Sequence, residues 1–202
     1  MTPLEIADII GIISFALSGF LIAVHHKLDV LGIVITAFLT ALGGGMVRDI
    51  IANKTPYIFT QNLPVTLVIC TVIVAILFEL HHISDLEGKT TFIISDTIGL
   101  VSFSITGALV ALEADFNFFG VLLLSLMTAI GGGTLRDIIV NRMPAFLISD
   151  FYGSVALIIA TVIYTLNHFD EMTFLSLLIT FVLGVLLRLL AHYKQWHLPK
   201  LT

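Results

Sequence analysis

The chain has 202 residues, of which 58% are hydrophobic and only 11% charged, with a formal net charge of −5 and a mean hydropathy of +1.09. Soluble domains average about 45–50% apolar and about 25% charged residues, so the composition excludes a soluble globular domain and describes a protein that crosses a membrane several times. The negative balance argues against a nucleic-acid partner. The single cysteine, Cys70, permits no internal disulfide and reads as a small buried or lipid-facing hydrophobe.

Apolar runs of about 20 residues bounded by polar loops are the unit to count. Seven occur in chain order: Leu4–Val24, Val30–Ile51, Leu63–Leu80, Phe92–Leu112, Phe118–Val140, Asp150–Leu166 and Met172–Ala191. The first carries Glu5 and Asp8 where a cleaved signal would have a basic flank, so it is expected to be retained. The connections are short, with turn chemistry at His25-His26-Lys27, Asn53 to Pro56, Ser84-Asp85 to Gly88-Lys89, Asp115-Phe116-Asn117 and Asn167 to Asp170. One all-α membrane domain, 1–202, is therefore expected. With seven spans, Lys54 stands alone on the N-terminal side, while Lys27, Lys89, Arg142, Arg188, Lys194 and Lys200 share the other. The basic excess predicts an outside N-terminus and a cytoplasmic C-terminus in a plasma (inner) membrane, with Trp196, His192 and His197 near the last interface.

Sliding the chain 88 residues against itself needs no gap. Asp8, Gly11, Ser14, Phe15 and Gly19 fall on Asp96, Gly99, Ser102, Phe103 and Gly107, and Pro56 falls on Pro144. About 20 of 49 positions from Asp8 onward are identical, too many for shared membrane composition, so the chain is an internal duplication. The first unit covers 4–81, the second 92–166, and the span at 172–191 is extra. A unit of three spans is odd in number, so the second must enter from the opposite side, which makes a 3+3 inverted repeat with a solute path expected at its interface.

The densest match is Gly43-Gly44-Gly45-x-x-Arg48-Asp49 against Gly131-Gly132-Gly133-x-x-Arg136-Asp137. Glycine costs a helix interior about 1 kcal/mol relative to alanine, and a charge at membrane depth costs at least about 2.5–3.5 kcal/mol. The triplets therefore predict broken second and fifth spans, with freed carbonyls able to meet a small cation. The trailing half-helices, reinforced by Arg48 and Arg136, would favour an anion instead. Arg48 and Asp49 diverge by about 100° on one helix, so the symmetry suggests crossed pairs, Arg48 with Asp137 and Arg136 with Asp49. Such pairs either tie the units together or form a gate. Asp8 and Asp96 read as helix caps or as the two pore mouths. Ser14, Ser18, Ser102 and Thr106 read as close helix packing or as pore lining. Lys27, Lys89, Lys194, Lys200 and Arg188 read as snorkelling or loop charges. Glu79 with His81 and His82 reads as a solvated helix end rather than a metal site. Neither a nucleophile with its base nor a phosphate loop is present, so no enzyme, no cofactor and no resident metal is expected.

The duplicated Gly-Gly-Gly-x-x-Arg-Asp on the second and fifth of seven spans resembles the trimeric intracellular cation (TRIC) channels in their prokaryotic branch, over essentially the whole chain. The resemblance implies a homotrimer in the lipid bilayer with one pore per protomer, permeable to monovalent cations and chiefly potassium, and helices kinked at Gly43–Gly45 and Gly131–Gly133. Animal members carry a Lys-Glu-Val sequence in the second glycine region. Thr134 and Leu135 stand here instead, so phosphoinositide and calcium regulation do not carry over. The domain also looks like that of bacterial proteins assigned to glycine uptake, which makes a small-solute transporter the alternative.

Overall fold

A computed structural model describes residues 1–80, 85–148 and 151–196, and these are helical throughout apart from short connections, with no strand among them. The helices are α1 (Pro3–His25), α2 (Val30–Ile51), α3 (Tyr57–Thr60), α4 (Leu63–Leu77), α5 (Asp85–Glu113), α6 (Phe118–Ile139), α7 (Ala145–Ile148), α8 (Tyr152–His168) and α9 (Phe174–Tyr193). Five are long and apolar enough to cross a membrane, namely α1, α2, α5 from Lys89, α6 and α9; α4 and α8 are shorter apolar helices. The short α3 and α7 have no counterpart among the expected spans. The fourth span begins earlier than expected, because α5 continues back to Asp85 through residues read as a loop. His81, His82, Ser84, Asp150, His197 and Lys200 lie outside the described residues.

Local chemistry sets the helix ends. Thr2 caps α1 in a reciprocal capping box with Glu5, and Pro3 takes the first helical position. Asp29 and Asn117, 88 residues apart, cap α2 and α6 by accepting from the amides of Gly32 and Gly120. Lys27, Asn53, Asp115 and Asn141 leave their helices in the left-handed region, a conformation that Asn and Asp tolerate better than other side chains.

The core is a bundle of α1, α2, α5 and α6, flanked by α4 on α1 and α8 on α5 and α6, with α9 against α5 and α8. Reciprocal contacts reveal a two-fold relation. A Cβ at Gly11 would strike the Phe103 ring and one at Gly99 the Phe15 ring, and the two rings pack edge to face with centroids 5.2 Å apart. Serine and threonine in the bundle hide their hydroxyls on helix carbonyls, as Thr36 does on Gly32 and Thr128 on Leu124. Ile69, Ile73 and Cys70 of α4, and Leu175, Leu183 and Leu186 of α9, face outward, as lipid contact requires.

Both glycine triplets lie inside unbroken helix, which corrects the expected breaks in the second and fifth spans. The glycines answer a different need. A Cβ at Gly44 would collide with the carbonyl oxygen of Thr128, and one at Gly132 with that of Thr40. At Gly131 it would stand 3.1 Å from the Gly44 Cα. The backbones of α2 and α6 touch at this crossing, and only residues without side chains allow it. No half-helix end is exposed there, so the expected coordination of a cation by freed carbonyls has no structural basis.

Candidate functional site

Beside the glycine crossing each unit builds one buried ionic network. In the first, Arg48 on α2 donates from Nη1 to Asp8 of α1 at 2.6 Å and from Nε to Asp49 at 2.9 Å. The other Asp49 oxygen accepts from the amide of Tyr57 at 2.9 Å and so holds the start of α3. In the second, Arg136 on α6 donates from Nη1 to Asp96 of α5 at 2.5 Å and from Nε to Asp137 at 3.0 Å. Asp137 accepts from the amide of Ala145 at 2.9 Å and holds α7 in the same way.

These pairings correct three expectations. The arginines bind within their own unit, not across to the other: each is held by its sequence neighbour and by the aspartate of the preceding long helix, Arg48 by Asp49 and Asp8, Arg136 by Asp137 and Asp96. Adjacent Arg and Asp do meet, since the long arginine side chain curls back although the Cβ directions diverge. Asp8 and Asp96 lie within α1 and α5 and cap neither; Thr2 caps α1. A signal for these pairs was available, since a buried guanidinium needs carboxylates and Asp8 and Asp96 were the remaining duplicated acids. Arg188 is also corrected. It is 6% exposed, not snorkelling, and its guanidinium lies 5.0 Å from the centre of the Tyr152 ring.

The other expected residues are placed as follows. Gly43 meets Leu135, and Gly43, Gly44, Gly131 and Gly132 form the helix crossing. The third glycine of each triplet is different. A Cβ at Gly45 would meet only Arg48 Nη2, at 3.9 Å, and one at Gly133 would stand 3.4 Å from Tyr152 Oη and 3.6 Å from Arg136 Nη2, so both border the networks. Ser18 is fully buried and bonded to the second network, accepting from Arg136 Nη1 at 2.6 Å and donating to Asp96 at 3.3 Å. Thr106 donates to the Phe103 carbonyl at 3.4 Å, Ser102 is buried, and Ser14 is half-buried.

A cavity of about 560 Å³ opens onto Asp8, Arg48 and Asp49 and is bordered by Glu5, Lys54 and Glu113. Behind it lies a pocket of about 30 Å³, the size of one water, that reaches Ala41, Gly45 and Phe103. Lys54 pairs with Glu113 at 2.8 Å on the exposed rim. The second network is covered instead. Arg136 has no exposed side-chain surface and lies 4.9 Å beneath the Phe92 ring. Each network sets two carboxylates against the guanidinium they bind, and at the second end Arg188 stands nearby, beyond the Tyr152 ring. Among the described residues no group of histidine, cysteine and acidic side chains is placed to hold a metal ion.

The family model described as Glycine transporter matches residues 5–80 and 93–168, two segments 88 residues apart. The UPF0126 membrane protein YvgT of Bacillus subtilis is 28% identical over 202 residues, covering 96% of this chain and 95% of the relative. A crystal structure of a prokaryotic TRIC channel in 0.5 M KCl matches with a TM-score of 0.88 and 30% identity over 96% of this chain and 98% of that one. The TRIC trimeric intracellular cation channel orthologue from Rhodobacter sphaeroides matches with a TM-score of 0.88 and 26% identity over 97% of this chain and 100% of that one. These relatives are membrane and channel proteins, not enzymes.

Proposed function

The chain belongs to the Glycine transporter family and shares the fold of the TRIC channels, and from that premise we propose that it is a cation channel, permeable to potassium and other monovalent cations. The path runs within each protomer along the α1–α2–α5–α6 bundle, from the cavity at Arg48 toward Arg136. Gly45 and Gly133 border it, and Ser14, Ser18, Ser102 and Thr106 supply its hydroxyls. Gly43, Gly44, Gly131 and Gly132 hold the helix crossing beside it. Asp8 and Asp96 stand at its two ends, each bound to the arginine of its own network. The protein is a multi-pass membrane protein; seven crossings by α1, α2, α4, α5, α6, α8 and α9, arranged as an inverted repeat, follow from the odd helix count of each unit. An outside N-terminus and assembly as a homotrimer complete the proposal, the latter supported by the trimeric naming of the Rhodobacter relative.

The observation that carries the choice of cation is the charge of the networks. Both arginines, which taken alone favour an anion, are outnumbered two to one by the carboxylates that bind them. A cavity bordered by Asp8, Asp49, Glu5 and Glu113 against Arg48 and Lys54 repels anions and concentrates cations.

The test is flux from potassium-loaded liposomes containing the purified protein, with and without an external glycine gradient. Potassium efflux that follows the membrane potential and does not saturate supports the channel. Saturable glycine uptake without ionic current overturns it in favour of the small-solute transporter that the family's description suggests.

A further inference from the structure

The 560 Å³ cavity is bordered by residues that the repeat does not share. Leu4 and Pro64 line it, and 88 residues on Phe92 and Tyr152 stand in their places. The Phe92 ring lies on the Arg136 guanidinium and the buried Tyr152 ring lies against Arg188, so rings fill in the second unit what is cavity in the first. The charges follow the same division. Glu5 and Glu113 border the cavity, while the positions equivalent to them hold Ile93 and His25. An ion path through both units needs only what both possess, namely Asp8, Arg48 and Asp49 and their equivalents. The cavity and its two additional carboxylates are not explained by that path.

Size and lining say what they suit. At about 30 Å³ per water the cavity holds about 19 waters, well beyond one alkali ion with its inner water shell. Its volume falls among small-molecule sites, which run to about 300–1,000 Å³ and set a few polar groups in an apolar wall. Here Leu4, Ile9, Ile12, Leu63, Leu67 and Val110 form that wall, a surface that contributes nothing to holding an inorganic ion. Glu5, Asp8, Asp49 and Glu113 stand against Arg48 and Lys54, so carboxylates are in excess. Both cations are already engaged, Arg48 by Asp8 and Asp49 and Lys54 by Glu113 at 2.8 Å. A carboxylate or phosphate on a ligand would meet like charge and no uncommitted cation, which rejects amino acids and phospholipid headgroups alike.

We propose that the cavity is a binding site for a soluble amphipathic organic ammonium, a primary amine on an apolar tail that carries no anionic group. The ammonium donates among Glu5, Asp8 and Glu113, and the tail lies on Ile9, Ile12 and Leu67. An occupant there covers Asp8 and Arg48 and so plugs that end of the path. The site goes beyond the channel reading and rests on it only for this last consequence.

The probe is n-hexylammonium at about pH 7, where a primary amine is cationic, added to the full chain in liposomes after Cys70→Ser. Ile9→Cys, which borders the cavity, is the reporter, and binding is read as slower modification by a charged methanethiosulfonate reagent. At about ten times its half-protecting concentration hexylammonium should slow that modification by about tenfold. Ethylammonium, which lacks the tail, and hexanoate, which carries the opposite charge, should leave it unchanged. Equal protection by ethylammonium overturns the proposal, because the apolar wall would then play no part. Equal protection by hexanoate also overturns it, because partitioning of the tail into the bilayer would then account for the effect. Glu5→Gln with Glu113→Gln should raise the half-protecting concentration by about tenfold, as the loss of two exposed carboxylates does. An unchanged concentration in protein that elutes like wild type overturns the site. Should the double variant fail to fold, Glu5→Gln alone keeps an acceptor for the capping box and should raise it by about threefold. Potassium efflux followed in parallel separates the two readings. Protection in protein that passes no potassium upholds the site and overturns the channel, whereas flux without protection overturns the site and leaves the channel standing.

Discussion

The four aspartates do different work from what their positions along the chain suggest. Asp49 and Asp137 each bind an arginine with one oxygen and the first amide of a short helix with the other. Asp8 and Asp96 supply the partner from the neighbouring helix. Removing one member of a buried pair leaves an uncompensated charge and costs about 3–5 kcal/mol. Arg136→Met should therefore lower the detergent melting temperature severely, while Arg48→Met should cost less, because the cavity gives Asp8 and Asp49 access to water. Equal losses in a thermal unfolding assay would show that the cavity is dry. Exchanging charges within a unit, Arg48→Asp with Asp8→Arg, should recover more folded protein than Arg48→Asp with Asp137→Arg, and the reverse order would restore the crossed pairing. The duplicated acids and bases were legible in the sequence. Their partners were not, because pairing depends on how far a long arginine reaches across a helix interface.

At the scale of the element, the glycine triplets show how one sequence feature serves opposite structural readings. Three consecutive glycines weaken an isolated helix, yet α2 and α6 run through them unbroken. In a bilayer, interrupting the helix would strand backbone groups without water, which costs more than the low helix propensity of glycine. The triplets therefore act through what they omit. Gly44→Ala and Gly132→Ala each drive a methyl into a backbone carbonyl of the other helix, and both should abolish monodisperse elution or reduce stability by about 1–3 kcal/mol or more. At Gly45 an added Cβ would meet only an arginine nitrogen, at 3.9 Å, so alanine there should be neutral or stabilising by up to about 1 kcal/mol. A comparable loss at Gly45 would mean that this position, too, is packed against backbone. Element boundaries were largely readable from hydropathy and capping residues: Val30–Ile51 is reproduced in full, and Phe118 begins its helix as expected. The two short helices α3 and α7 were missed because four residues carry no periodicity of their own; their starts are set by Asp49 and Asp137.

For the whole molecule, the outward face of α9 and much of α4 is apolar, while Asp8, Arg48, Asp49, Asp96, Arg136, Asp137 and Arg188 are buried inside the bundle. Cross-linking or native mass spectrometry in mild detergent should find three copies per particle, and a stable monomer that conducts would overturn the trimer. A reporter enzyme fused after the last residue should be active only in the cytoplasm if the basic residues orient the chain as expected. Periplasmic activity of that fusion would reverse the orientation and place the open cavity on the cytoplasmic side.

The sequence by itself determined the membrane class, the duplication with its 88-residue offset, and the pairs of residues that had to be special. These are properties of composition and repetition, which need no coordinates. Tertiary structure alone decided that the glycines bring helices together instead of breaking them, that each arginine is held within its own unit, and that one end is open while the other is closed. The physical reason is common to all three. Each depends on the distance between groups on different helices, and the symmetry that makes the two units alike in sequence does not require them to be alike in state.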